Sequence, residues 1–289
     1  MFNPTQLVID TFVEKLKQNY VKTYGLLEPE YANIIAFTGR IALENIANSD
    51  ASYHDVDHTV LVTEVGQEIL KGKQLSEGGV SPADWMHFVI GLLTHDIGYV
   101  RGVCRGDGNG RYVVDMDGTT TTLPIGATDA ALTPYHVARG KLFVRERFGR
   151  VPILDIATLE ANIEFTRFPV PDGEASNNSR SFPGLLRAAD LIGQLADISY
   201  LRKAAALWNE FRETGINEKL GYHTPADLRK GYPGFFWHMV NPYIQDALKF
   251  LQVTQEGKHW IASLYANIFA VEHNAVSLGP ELGPKELQK

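Results

Sequence analysis

The stretch Val89-Ile-Gly-Leu-Leu-Thr-His95-Asp96-Ile97-Gly98-Tyr99 decides how this chain is read. An apolar run ends abruptly in His95-Asp96, and Gly98 follows two residues later. Immediately upstream, Ser81-Pro82-Ala83-Asp84 has the form of a helix start: a serine cap, a proline in the first turn and an acid three residues after the cap. From Trp85 to Leu93 the helix is apolar almost all round, which predicts burial. A buried helix that delivers an imidazole and a carboxylate side by side must pair them with something. Two pairings are open at this point: a hydrogen-bonded pair that closes the helix end, or a metal ion.

Working outward, the size of the chain, 289 residues and 32.1 kDa, permits a substantial core in one large domain or two small ones. Hydrophobic residues make up 44% and charged residues 21%, the balance of a soluble globular protein. The net charge of −7 and the pI near 5.7 argue against a nucleic-acid binder working through an overall positive field. Cys104 is the single cysteine, which excludes an intramolecular disulfide and a cysteine-based metal cluster; we read it as a spectator thiol. The N-terminal residues have no basic and apolar signal-peptide pattern, and no apolar run approaches a membrane span, so a cytoplasmic protein is expected.

On the N-terminal side, Leu7, Val8, Phe12, Val13 and Leu16 recur at helical spacing from Thr5 to about Tyr24. A second helix is predicted from Pro29 to Ala47, and the stretch Tyr53 to Val62 leads into a third that ends near Leu70, before a polar link from Lys71 to Gly79. On the C-terminal side the residues from Arg101 to Thr133 are rich in Gly, Asp, Thr and Arg. There, Arg111 to Met116 and Thr119 to Leu123 flank Asp117-Gly118, a β-hairpin pattern. Helices resume at Thr133-Pro134 and run to about Phe148, then from Asp155 to about Phe168. After an exposed loop from Asp172 to Ser181, a helix from about Pro183 carries Asp190 inside an apolar pattern, unusual for an unpaired acid. Helical segments follow over Tyr200–Phe211, Thr224–Lys230, Pro242–Val253 and Lys258–Val276, with an aromatic stretch, Gly231 to His238, between two of them. The tail from Ser277 is expected to be loosely held.

Four places therefore offer ligand chemistry on helices: His54 with His58, His95-Asp96, His136, and Asp190. His54 and His58 are four residues apart, so on a helix both imidazoles face one way. The two oxygens of Asp96 are suited to bridging two ions, and Asp190 comes from a distant helix, as a site clamped between helices needs. Each has a plainer reading: a hydrogen-bonded core histidine at His58, or an ion pair of Asp190 with Arg187 or Arg139. Nitrogen and oxygen donors without sulfur fit Mn²⁺, Fe²⁺, Zn²⁺ or Mg²⁺, as one ion or two.

These residues resemble the HD-domain metal-dependent phosphohydrolases. The order H…HD…D is that of the family, and Tyr53-His54-x-x-x-His58 looks like the YHxxxH motif of its cyclic-nucleotide phosphodiesterase branch. Leu92-Leu93-Thr94-His95-Asp96-Ile97-Gly98 resembles its HD helix, and Leu186-Arg187-Ala188-Ala189-Asp190 the segment that supplies its last aspartate. Ile163-Glu164-Phe165-Thr166-Arg167-Phe168 is similar to the helix before that segment. The resemblance covers roughly residues 45–200. It implies that His58, His95, Asp96 and Asp190 hold a first ion, that Asp96 bridges to a second, largely hydrated ion, and that an activated water attacks phosphorus. His54 matches the position that protonates the leaving oxygen, with a capping or outer-sphere role as the alternative. His136 is a second-metal ligand, a phosphate contact sharing a helix face with Arg139, or a structural histidine. Arg101, Arg105 and Arg111 follow the HD helix closely and either bind phosphate oxygens at the pocket mouth or are simply solvated. Tyr232, Phe235, Phe236 and Trp237 either stack on a base or pack the C-terminal helices. The chain departs from the family where the mammalian enzymes carry a histidine in HDxxH: here the residue is Tyr99.

The expectation is an all-α HD-domain helical bundle with a small β-hairpin insertion, one domain over residues 1–289. Its motif-bearing core spans about 45–200, its insertion about 101–132 and a C-terminal helical extension about 200–276. The expected activity is metal-dependent hydrolysis of a small phosphorylated substrate, a nucleotide or cyclic nucleotide phosphodiester, with no nucleic-acid polymer or membrane as partner and a homo-oligomer left open. The alternatives are an HD-type di-iron oxygenase, which needs two further histidines between His95-Asp96 and Asp190 where only His136 lies, and a ligand sensor without turnover.

Overall fold

Helix α4 (Pro82–Thr94) is the axis of the molecule, and every residue from Trp85 to Thr94 on it is buried. The helix starts as expected: Ser81 accepts from Asp84 N at 3.1 Å while Asp84 accepts from Ser81 N at 2.9 Å, closing a capping box. Its all-round apolarity is explained by its neighbours. It packs against α2 (Pro29–Ile46), α3 (Val56–Ser76), α6 (Ile156–Glu164) and α7 (Phe182–Leu195), so no face is left to solvent. Helix α1 (Pro4–Tyr24) lies along α2. A 3₁₀ turn, Ile97–Tyr99, follows α4 and packs under α5 (His136–Phe148).

The computed structural model describes residues 2–173 and 178–273, and among them the architecture is all-α with one small hairpin. Strands β1 (Arg111–Val113) and β2 (Thr120–Thr122) pair antiparallel, with Tyr112 opposite Thr121, shorter than the sequence pattern implied. The C-terminal layer comprises α8 (Tyr200–Glu213), α9 (Ile216–Leu220), α10 (Pro225–Phe235), α11 (Asn241–Leu251) and α12 (Gln255–Glu272), with α11 and α12 packed on α3 and α7. No helix of the described residues is long and apolar enough to cross a membrane.

Several boundaries differ from the sequence pattern for identifiable reasons. Helix α3 continues six residues past Leu70, so the polar link shrinks to a turn at Gly78 and Gly79, both at positive φ. The segment at Thr133-Pro134 is a 3₁₀ stretch, Asp129–Tyr135, and α-geometry begins only at His136. Helix α6 stops at Glu164, short of Phe168, whose place before Pro169 disfavours helical backbone. The aromatic stretch from Gly231 to His238 is not a connector: it completes α10 and continues through a π-turn, Phe236–Val240, into α11. The short α9, unmarked by any apolar pattern, is framed by Gly215 and Gly221, both left-handed. The tail from Ser277, and the expected end of the last helix at Val276, lie outside the described residues.

The insertion is fastened by one buried arginine. Arg139, fully buried on α5, donates to the carbonyls of Gly98 (2.7 Å), Val100 (2.9 Å) and Val113 (2.5 Å) and to both oxygens of Asp107 (3.0 and 2.9 Å). Its far end is tied by Thr128, which donates twice to Glu213 (2.9 and 2.8 Å), and by Asp129 N, which donates to Asp50 (2.6 Å). At Gly98 an added Cβ would lie 1.9 Å from His136 O, so only glycine lets the 3₁₀ turn approach α5 this closely.

Helices α3 and α7 have the most extensive pairing in the molecule, and Gly193 makes it possible: an added Cβ there would meet the Val62 backbone at 2.7 Å. Gly193→Ala is expected to cost about 1–3 kcal/mol through forced separation of the two helices. Gly234→Ala, where an added Cβ meets nothing, should leave stability unchanged or raise it by up to about 1 kcal/mol. Urea unfolding midpoints of the two variants check this.

Candidate metal centre

Three elements converge on one point. Asp55 caps α3 by accepting from His58 N at 2.9 Å, which sets His58 in the first helical turn with its ring directed inward. His95 caps the C-terminus of α4, and Asp96 is the first residue beyond it. Asp190 projects from the middle of α7. The His58 Nε2 atom lies 3.2 Å from Asp96 Oδ2 and 3.4 Å from Asp190 Oδ1, and His95 Nε2 lies 3.1 and 3.5 Å from the same oxygens. An ion about 2.1 Å from each donor requires neighbouring donors roughly 3.0–3.5 Å apart. The spacing fits.

The proton arrangement supports the same conclusion. His95 Nδ1–H donates to Leu92 O at 2.7 Å, which leaves Nε2 as the atom facing the two carboxylates. A bare lone pair pointed at a carboxylate oxygen is repulsive, so a proton or a cation must lie between them. His58 Nε2, His95 Nε2 and Asp96 Oδ2 are all buried without a hydrogen-bond partner. Such orphaned atoms are costly unless a ligand serves them. Burial disfavours a charged His95, yet Asp96 and Asp190 outweigh it and push its pKa well above the usual range; His58 moves the same way. Burial would raise Asp96, but the charge of His95, with His54 and His58 beside it, holds it well below the ordinary carboxylate range. Asp190 is likewise held low against burial by His95 and His58. The pocket thus favours positive charge at its centre. Two carboxylates among neutral imidazoles are balanced by one divalent cation. Residues His58, His95 and Asp190 have donor atoms all within 4.8 Å of one another, and Asp96 completes the set.

His136 approaches from the other side of Asp96. Its Nδ1–H donates to Thr133 O at 2.6 Å, and its Nε2 lies 3.9 Å from Asp96 Oδ1. Asp96 thus turns one oxygen toward His58 and His95 and the other toward His136, an arrangement able to serve a second cation. Burial pushes the His136 pKa down, which keeps its Nε2 available as a donor to a metal.

His54 does not share a helix with His58, contrary to the expectation from their spacing. It precedes the Asp55 cap, and the fold of that turn sets its ring 5.4 Å from that of His58. Its partner is Glu210 on α8, whose Oε2 lies 2.6 Å from His54 Nδ1 while Oε1 accepts from Tyr53 N (2.6 Å) and His54 N (3.3 Å). Glu210 was not anticipated, although the sequence carries a signal for it: an acid on the same stripe as Leu201, Ala204 and Leu207 of an amphipathic helix. Burial opposes charge on His54, but Glu210 beside it, with Asp96 and Asp190 behind, raises its pKa to about 9. Glu210 is lowered by the same pair against its own burial. Side-chain exposure falls from Asp190 (18%), His136 (16%) and His54 (14%) to His95 (1%), so access is from the side where the first three meet solvent. Tyr99 stands between His54 and His136, stacked on both.

Of the arginines offered as phosphate ligands, Arg101, Arg105 and Arg139 are held by protein partners, and Arg111 is exposed on β1. Arg139 serves the insertion and neither shares a solvent face with His136 nor pairs with Asp190. Arg101 is held by Asp129 and Asp50, and Arg105 donates to Glu146 O at 2.8 Å with its backbone N on the Glu146 carboxylate. Tyr232 and Phe236 are buried packing residues, and Trp237 donates to Glu272 at 3.0 Å. Cys104 is buried, with its thiol pushed up to about 12, as a spectator should be.

Residues 2–274 match the family model described as Npun_R2479-like. The chain belongs to the Npun_R2479-like family. The match takes in every residue of this cluster, the insertion and the C-terminal layer that supplies Glu210. No curated protein matches the chain.

In this member of the Npun_R2479-like family, His58→Ala and Asp190→Ala are each expected to lower bound divalent metal to under about a tenth of the wild-type stoichiometry, read by elemental analysis of folded protein. His87→Ala, removing a histidine held by Ala83 O and Asp155 N, should leave metal content unchanged.

The His54–Glu210 pair gives a second prediction for metal-free protein. The raised His54 pKa contributes stability that is complete below its unfolded value of 6.5 and lost as pH rises through about 9. The lowered Glu210 pKa contributes stability present above its unfolded value of 4.5 and lost as pH falls through the lowered one. The melting-temperature gap between wild type and Glu210→Gln should therefore be widest near pH 6 and shrink as pH passes roughly 9.

Proposed function

We propose that the chain is a metal-dependent phosphohydrolase of the HD-domain type, cleaving a phosphate ester, with a nucleotide or cyclic nucleotide phosphodiester as its substrate class. The observation that carries this reading is the trio of buried, unpartnered donor atoms, His58 Nε2, His95 Nε2 and Asp96 Oδ2, gathered with Asp190. The resemblance of the H…HD…D order to that superfamily supports it.

His58, His95, Asp96 and Asp190 would hold the first divalent ion, and Asp96 Oδ1 with His136 would face a second. When bound, such ions lower the pKa of water and offset the charge that grows on phosphoryl oxygens. The chain's own residues do the rest. His54, kept protonated by Glu210 and aimed across the mouth, donates a proton to the leaving oxygen. Glu210 fixes the ring orientation through Nδ1 and leaves Nε2 as the donating atom. With Arg101, Arg105 and Arg139 engaged by protein partners, phosphate recognition falls first to the cluster and His54. A small phosphorylated substrate suits a mouth edged by three partly exposed polar side chains. A cytoplasmic setting agrees with one buried thiol.

Hydrolysis of bis(p-nitrophenyl) phosphate with and without added Mn²⁺, followed by a panel of cyclic and linear nucleotides, tests the proposal. Saturable, metal-dependent cleavage is expected. His54→Ala should keep the metal and lower kcat about 10²–10⁴-fold. Stoichiometric iron without hydrolysis of any ester would overturn the phosphohydrolase in favour of an oxygenase, and binding without turnover would favour a sensor.

A further inference from the structure

The two outer histidines, His54 and His136, come from segments 82 residues apart, yet their rings are parallel to a common partner. Tyr99 lies between them, its ring centroid 4.4 Å from that of His54 at 14° and 4.6 Å from that of His136 at 22°. Both imidazoles are pinned at Nδ1, one by Glu210 and the other by Thr133 O. A single hydrogen bond at Nδ1 keeps a proton on that nitrogen and fixes one point of the ring, but leaves the plane free to pivot about that point. A flat ring against the face removes that freedom.

Tyr99 is itself immobilised. It is buried, its N donates to Asp96 O at 3.0 Å in the 3₁₀ turn, and the turn is pressed against α5 at Gly98, close to the His136 carbonyl. The same short turn thus fixes Asp96, Tyr99 and the approach to His136. No polar contact of the metal cluster needs an aromatic ring at this position, so packing of the cluster alone does not account for a double stack.

We propose that Tyr99 is a positioning residue that holds the His54 and His136 imidazoles parallel on its two faces, so that both Nε2 atoms keep a fixed direction toward the Asp96 side of the site. Its effect on turnover rests on the phosphohydrolase reading; its effect on the two rings does not. The ring, not the hydroxyl, carries the role. Tyr99→Phe should behave as wild type, and Tyr99→Leu, apolar but without a flat face, should not.

The test uses side-chain NMR of the metal-free full chain, with histidine ring protons assigned by the His54→Ala, His136→Ala and His87→Ala variants. In the wild type, cross-relaxation from Tyr99 ring protons to both the His54 and His136 rings is expected, and both sets of ring protons are displaced upfield by the tyrosine ring current. Tyr99→Leu should remove that displacement and broaden both signals, Tyr99→Phe should retain it, and His87 should stay constant in every variant. In the hydrolysis assay, Tyr99→Leu should lower kcat roughly ten- to a hundredfold with KM changed less than about threefold, and Tyr99→Phe should rescue it. Unaltered His54 and His136 signals in Tyr99→Leu, or absence of the cross-relaxation in the wild type, would overturn the proposal. Should Tyr99→Leu fail to fold, the wild-type cross-relaxation and the Tyr99→Phe signals decide alone. Displaced rings without any ester hydrolysis would uphold the positioning role and reject only the phosphohydrolase.

Discussion

Two carboxylates, Asp96 and Asp190, face two imidazole Nε2 atoms in a nearly dry pocket, and their need for positive charge between them is the constraint to which the rest of the fold answers. Buried carboxylates at this separation repel each other, and the imidazoles neutralise them only as cations. A divalent ion resolves the conflict with the donors already at coordination spacing. The arrangement is costly without a proton or a cation among the donors, because three of its polar atoms make no hydrogen bond.

The surrounding structure holds these donors still. Helix α4 supplies His95-Asp96 at its end and is buried on every side, so its terminus has no freedom to move. The close approach of α3 and α7 at Gly193 and Val62 brings His58 and Asp190 within reach of one another. Arg139 gathers three carbonyls and one carboxylate into a single buried node, which ties the insertion and the 3₁₀ turn to α5. The C-terminal layer contributes as well, since Glu210 on α8 reaches back across the sequence to orient His54. It is part of the site and not an appendage.

Much of this was legible in the sequence because it was written in local patterns. The Ser81–Asp84 capping box, the apolar run to Leu93 and the acid inside the helix around Asp190 each carry their meaning within one or two turns. The grouping of His58, His95, Asp96 and Asp190 is what the family resemblance implied. What the sequence concealed was the identity of partners. Arg139 sits one turn from His136 in sequence, but its side chain faces Asp107, whose position depends on how a glycine-rich loop folds back. For Arg101 and Arg105 the sequence left phosphate contact and simple solvation both open; here acids and a carbonyl within the fold take them first. Glu210 carries no local mark of its role because its partner lies 156 residues away, and long-range pairing leaves no periodic mark. The same holds for the Tyr99 stack.

One divalent cation is proposed to lie among His58 Nε2, His95 Nε2, Asp96 Oδ2 and Asp190 Oδ1. A crystal of protein grown with Mn²⁺, measured on either side of the metal absorption edge, tests it most directly. A single strong anomalous peak is expected about 2.0–2.3 Å from all four atoms, with any second, weaker peak between Asp96 Oδ1 and His136 Nε2. A map with no anomalous density there, and with a proton-sharing imidazole–carboxylate pair closing the gap, would contradict it.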